Sequence, residues 1–442
     1  MPLAEATEKA LLQSVEAGRL VIVCGAGLSI AGRSKGPSAQ HIADVCFDRA
    51  VLVDQKLNPK LRKSLSLLAE HFTANQSLQN YFIPCLVPWG EFAAGEPNEG
   101  HIALADFALC RAIEAVITTN YDFFVEQAAS SFHADFQSTL DGPTAAMQRT
   151  HANYVKLHGC AVRSRLTTVW APSQLENDPE LITRIDGLKT WLRANLHEKD
   201  YVFVGFWSDW RYLNAILEET LSTVLPTRVF VVDPASDSDL ETKAPALWTL
   251  LTEKGATFEH VAMSGEQLLN DLRCAFSRMY LRKVFALGTT EFRECVTPNL
   301  PELQIASSGN ASDLHDARCD AEGLPRSSAA RLKEPTANAS QYAFAHLLLS
   351  HAGGQPNGAD YQISGRRVRV INAAGRFINQ VRAQFADDPI SIPSPDMVLC
   401  AGGGDVPVPD NIVREGTTAS IIRPIAGGSW VDLRTARVLL EI

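Results

Sequence analysis

The sequence predicts an α/β chain in which a parallel sheet is followed by a smaller C-terminal domain, and three observations lead there. From residue 1 to about residue 285, short apolar, β-branched stretches alternate with helical periodicity. Each of those stretches ends at Gly, Asn, His or Asp, at the carboxyl ends of strands where open parallel sheets bind ligands. The alternation then gives way to an Ala-, Ser-, Asn-, Asp- and Pro-rich stretch, residues 302–340, that reads as a flexible linker. At 442 residues the chain is about twice the size at which single cores split, so two domains are expected.

Composition narrows the class. A hydrophobic fraction of 46% and a charged fraction of 20% describe a chain able to bury a large core. The net charge of −10 argues against sequence-independent binding to nucleic acid, which needs clustered Lys and Arg. The 9 cysteines are scattered, with no C-x-x-C, so neither a zinc ribbon nor a thioredoxin-like motif is indicated and reduced thiols are expected. The opening "MPLAEATEKALLQSVEAG" is an amphipathic, acidic helix without the basic and apolar regions of a signal peptide. No apolar run approaches the roughly 20 residues that span a bilayer. A cytoplasmic protein without membrane contact is expected.

Taken in order, the predicted strands are Leu20–Cys24, Ala115–Thr119, Asn153–Leu157, Asp200–Val204 and Thr227–Val232. Between the first two, residues 37–112 carry helical periodicity, either as a module over one face of the site or as plain crossover and packing helices. Beyond residue 340, "RRVRVINAAGRFINQVRAQF" reads as a strand and a helix, and the Gly/Pro-rich tail as short strands and turns, with Gly402, Gly403 and Gly404 as a plain turn. The expected divisions are 1–290 for the first domain, 291–340 for the linker and 341–442 for a small mixed α/β domain suited to assembly or regulation.

Five strand ends carry chemistry. After the first strand come Gly25, Ala26 and Gly27 with Ser29, a dinucleotide-type loop whose glycines let backbone N–H groups approach a pyrophosphate. After the second come Thr119, Asn120 and Asp122; the carboxamide both donates and accepts, although either residue also serves as a helix cap. After the third, His158 precedes Gly159, placed either as a general base or as a structural histidine. Gly205 closes the fourth strand, with Ser208 and Asp209 opening a helix, and Asp233 ends the fifth, where a carboxylate can grip a ribose diol.

As an ordered set over about residues 17 to 285, these residues resemble the sirtuin superfamily, and more closely its bacterial sirtuin-like branch associated with antiviral defence. The resemblance implies a Rossmann-like parallel sheet with a helical module. It implies that Gly25, Ala26 and Gly27 hold the NAD pyrophosphate with Ser29 beside it, and that Thr119 belongs to the same cofactor site. Asn120 then faces the nicotinamide ribose, Asp122 approaches the carboxamide, and His158 is the family's general base. Gly205, Ser208, Asp209 and Asp233 fall at the phosphates and the adenosine ribose. An acidic Asp233 favours NAD over NADP, whose 2′-phosphate would meet a like charge.

The departures point to a branch of the family. Deacylating sirtuins carry a zinc module with paired C-x-x-C after the His-Gly element, and here there are no such ligands. Where they read Gly-Ile-Pro-Asp-Phe-Arg, this chain reads "GRSKGPSAQ", in which the family's Asp and Arg of that stretch have no counterpart, so an acyl-lysine groove is not expected. The expectation is an NAD hydrolase that needs no metal, acting as the toxic effector of an anti-phage, abortive-infection system. Deacylation, ADP-ribosyl transfer and NAD or ADP-ribose sensing are the alternatives. Related systems imply a homo-oligomer and an operon partner, namely a HerA-type ATPase, an Argonaute-like protein or a phage-protein sensor.

Overall fold

In the computed structural model the described residues are all except 1–2, 31, 208–213, 215–216, 219–220, 223–225, 256, 302–309, 387, 389–394 and 405–428. The chain divides into two compact units, one of residues 1–131 and 135–270, the other of residues 132–134 and 271–442.

The first unit is built on a six-stranded sheet: β1 (Leu20–Cys24), β2 (Ala115–Thr118), β3 (Asn153–Lys156), β4 (Asp200–Val204), β5 (Arg228–Val232) and β6 (Thr257–Val261). All neighbours are parallel, in the order β3-β2-β1-β4-β5-β6. This is a doubly wound, Rossmann-type α/β arrangement, as the sequence predicts. Its switch point lies between β1 and β4, where the chain leaves in opposite directions and opens a crevice. Sequence explains the interior strands: β1 reads LVIVC and β4 DYVFV, and every residue of both is buried, as strands covered on two faces must be. β6, TFEHV, lies at the edge and is exposed or half-buried throughout. Its mixed polarity gives no apolar run, which is why sequence reading found five strands rather than six.

Residues 37–112 form a module with its own core. The helices Ala39–Val51 and Leu65–Ala74 begin at Ser38 and Ser64, whose hydroxyls accept from the His41 and Leu67 amides. A π-helical stretch, Leu78–Leu86, follows and contains Pro84, which removes an amide donor. Ile42, Phe47, Leu68, Phe72, Phe82, Trp89 and Phe92 pack together with Trp170, contributed by the loop after β3. The helices are therefore more than crossovers.

The second unit holds a five-stranded sheet: β7 (Gln355–Asn357), β8 (Asp360–Ile363), β9 (Arg366–Asn372), β10 (Met397–Ala401) and β11 (Ser429–Asp432). The order is β11-β10-β9-β8-β7, antiparallel from β7 to β9 and parallel from β9 to β11. The predicted strand-then-helix is β9 followed by Ile378–Gln384. Gly402, after β10, sits at φ +71° in a turn. Within the stretch read from sequence as linker, Ala311–Glu322 is an α-helix that buries Leu314, Ala317 and Ala321 in the core of this unit. That face is mostly alanine, so its periodicity carries little hydrophobic contrast. Inside the unit, Arg369 pairs with Asp320 at 2.6 Å and Asp388 at 2.9 Å, all three buried.

Candidate active site

The glycine turn after β1 is a junction of bare backbone. A Cβ on Gly25 would lie 2.8 Å from the Gly205 carbonyl oxygen, and one on Gly27 would lie 2.7 Å from Gly205 Cα. Gly205 itself sits at φ +57°. These glycines therefore let the turns after β1 and β4 touch at the switch point. Most amides of the turn are already used: Gly25 donates to Val204 O at 3.0 Å, Gly27 to Gly205 O at 2.9 Å, Leu28 to Gly25 O at 3.1 Å and Ser29 to Ala26 O at 2.9 Å. The Ala26 N–H alone in this turn has no acceptor among the described residues, and Ala26 lines the adjoining cavity. The following helix, Gly27–Ile30, is a single turn.

Ser29 is the hub of the site. Its hydroxyl donates to Asp122 Oδ2 at 2.8 Å and accepts from Asn120 Nδ2 at 3.1 Å. A third partner is His101 Nε2, also at 3.1 Å. The His101 tautomer follows from its other nitrogen: Nδ1 accepts from the Asn98 amide at 3.2 Å, so Nε2 carries the proton and donates to Ser29. Burial pushes the His101 imidazole down to about 4, against the pull of Asp122, so the ring is neutral near pH 7. Asn98 caps the helix Glu99–Leu109 in a reciprocal box with His101, and its Nδ2 donates to Leu28 O at 2.8 Å. Sequence reading missed His101, although the spacing Asn98-x-x-His101 was there to be seen.

The loop after β2 supplies the acceptors. Asn120 Nδ2 donates to Gly25 O at 3.1 Å as well as to Ser29, which fixes the amide orientation. Its Oδ1 has no donor among the described residues. Asp122 serves two neighbours, one oxygen toward Ser29 and the other accepting from the Phe124 amide at 3.4 Å, where a helix begins. The N-cap of that helix is Phe123, without a side-chain cap, so Asp122 stands one residue before it.

A cavity opens beside this network. Ala26, Ser29, Thr119, Asn120 and Asp122 form its polar side. The opposite wall is aromatic, with Tyr121 stacked on Trp170 at 4.4 Å and Phe92 edge-on to Tyr121 at 5.6 Å. Asp122 is the one charged side chain lining it among the described residues. A flat ring fits that wall, and a ribose-like group with hydroxyl donors fits the polar side.

The remaining predicted residues are not all brought to the cavity. His158 is buried, and its ring centroid lies 5.9 Å from that of Tyr121, which does line the cavity. Burial, with the Arg184 guanidinium nearby, pushes His158 down to about 3, opposed by a hydrogen bond to the Thr119 main chain. Arg184 also binds the carbonyls of Thr167 at 2.8 Å and Leu157 at 3.2 Å. Asp233, at the end of β5, accepts from the Ala235 amide at 2.9 Å and does not line the cavity. Ser208 and Asp209 lie outside the described residues.

No helix among the described residues is long and apolar enough to cross a membrane, and no group of three His, Cys, Asp or Glu among them could hold a metal. No curated protein matches the chain. Solved structures that match include a triple mutant of a Sir2 homologue with 2′-O-acetyl ADP-ribose, at 13% identity and a TM-score of 0.33, covering 61% of this chain and 95% of that one. A Sir2 homolog–NAD complex matches at 13% identity and a TM-score of 0.34, over 60% of this chain and 91% of that one. Residues 114–255, which supply Asn120, Asp122, His158, Gly205 and Asp233, match the family model of the SIR2-like domain.

Proposed function

We propose that the site hydrolyses the nicotinamide–ribose bond of NAD. The observation that carries this reading is the Ser29–Asn120–Asp122 array at the switch point, with Asn120 Oδ1 and the Ala26 N–H open beside an aromatic wall. In the balanced reaction the C1′–N bond breaks, nicotinamide leaves as a neutral base, and water supplies the new C1′ hydroxyl of ADP-ribose with release of one proton. A neutral leaving group needs no acid. What the transition state needs is a held ribose and a counter-charge for the developing cation, and Asp122, oriented by Ser29, offers the one carboxylate at the cavity. Asn120 Oδ1 accepts from a ribose hydroxyl or the attacking water, and His158, hydrogen-bonded to the Thr119 main chain, orients that loop while the water's proton passes to solvent. Gly25, Ala26, Gly27, Ser29, Thr119, Gly205, Ser208, Asp209 and Asp233 form the remainder of the NAD site, with Asp233 at the adenosine ribose. No metal enters this scheme.

The resemblance of the motif series extends the proposal to biology. The chain acts as the NAD-depleting effector of a bacterial anti-phage system, in the cytoplasm, as a homo-oligomer governed by an operon partner. The decisive experiment incubates the purified chain with NAD, alone and with its genomic neighbour, and follows nicotinamide and ADP-ribose by chromatography. Wild type is expected to form both, while Asn120→Ala and His158→Ala each lose at least about 100-fold in turnover with the fold retained. NAD bound and intact in every condition would instead support a sensor, and acetyl-lysine-dependent nicotinamide release would support a deacylase.

A further inference from the structure

Beneath the site lies an ion pair that the proposed chemistry does not use. Lys156, the last residue of β3, and Glu126, on the helix Phe124–Ser130 that follows the Asp122 loop, are both fully buried and 2.8 Å apart. The Lys156 ammonium also donates to the main-chain carbonyl of Asp122 and lies 3.5 Å from Cys160 Sγ. The rings of Tyr154 and Phe123 stand 5.3 and 5.7 Å from it. Glu126 Oε2 has no hydrogen-bond donor among the described residues.

Such a pair is a poor source of stability. Two charges lose their hydration on burial, and well-packed apolar residues of similar volume commonly replace a buried pair without loss. Its geometry, by contrast, is specific. Lys156 sits two residues before His158, and its ammonium reaches across to the peptide that follows Asp122, two residues after Asn120. One cation therefore joins the two strand ends that carry the acceptors and the histidine. Its N–H bonds reach two separate acceptors, the Asp122 carbonyl and Cys160 Sγ, while its charge pairs with Glu126, and those directions leave the peptide little freedom to turn.

We infer that Lys156, held by Glu126, is a positioning residue that sets the orientation of the Asn120–Asp122 loop relative to His158. Its kinetic consequence rests on the reading of this site as an NAD hydrolase; its structural consequence does not. The test uses the full-length chain with the pair replaced as a unit, Lys156→Met with Glu126→Leu, and with Glu126→Gln as a second variant that keeps the volume of the pair. Three quantities are measured: thermal unfolding, amide hydrogen exchange across residues 119–124, and kcat and KM for NAD.

The double variant is expected to unfold at or above the wild-type temperature, while exchange across 119–124 rises on the order of tenfold. Its kcat falls about 100-fold with KM held within about threefold, the pattern of a misplaced reacting group and not of lost binding. Glu126→Gln raises loop exchange and lowers kcat by less, while lowering the unfolding temperature because it leaves the Lys156 charge unpaired, and it carries the test by itself if the double variant does not fold. Wild-type exchange and wild-type kcat in a folded variant would overturn the inference. A wild type that leaves NAD intact, together with faster loop exchange in the variants, would overturn the hydrolase reading and leave the positioning role standing.

Discussion

At the scale of the residue, burial decides protonation. His158 is held neutral by its surroundings, with its folded value near 3 against 6.5 for the free side chain. The unfolded chain therefore binds a proton between those values and the folded chain does not. The associated stability is whole above about pH 6.5 and is lost progressively as pH falls toward 3. His158→Gln removes that titration: between pH 7 and pH 5 the variant should lose about 2 kcal/mol less unfolding free energy than wild type, as read by denaturant titration at both pH values. An equal loss in both would mean that His158 is solvated. The sequence could place His158 at a strand end, but it could not show that Tyr121 would pack beside it, because that depends on the loop that brings Trp170 over the Tyr121 ring. Asn120 and Asp122 were easier to place together, since positions two apart after a strand stay close however the rest of the chain packs.

At the scale of the element, the helix Glu99–Leu109 does more than cross over the sheet. Its capping pair, Asn98 and His101, reaches both Leu28 O and the Ser29 hydroxyl, so the start of one helix braces the turn after β1. Asn98→Ala should cost about 1 kcal/mol of stability for the cap alone. It should also lower kcat for NAD, because the Asn98–Leu28 bond is lost. Unchanged kcat at reduced stability would confine Asn98 to capping. Strands β1, β2, β4 and β5 were legible as apolar runs and β3, NYVK, by the His-Gly turn that follows it, whereas β6 mixes Thr, Glu and His along an exposed edge. The hairpin of β7 and β8 was missed for a similar reason: QPN and DYQI are short and polar, and their pairing depends on the turn at Gly358, φ +64°.

At the scale of the molecule, charge sets the encounter with substrate. Asp and Glu number 50 against 40 Lys and Arg, and the cavity adds Asp122. NAD is itself anionic, so salt should screen a weak long-range repulsion. Between about 0.01 and 0.15 M salt, kcat/KM should hold or rise by less than about threefold; a tenfold fall would reveal a basic path to the site. The two-unit organisation was legible from the change of pattern along the chain, and the helix at 311–322 was hidden by its alanine-rich face. The contact of Gly25 and Gly27 with Gly205 joins the two halves of the first sheet through backbone alone. For anyone redesigning this pocket, the aromatic wall is open to remodelling residue by residue. The three glycines are its fixed datum, because a methyl group at any of them would wedge apart the turns that carry Ala26 and Ser29 to the cavity.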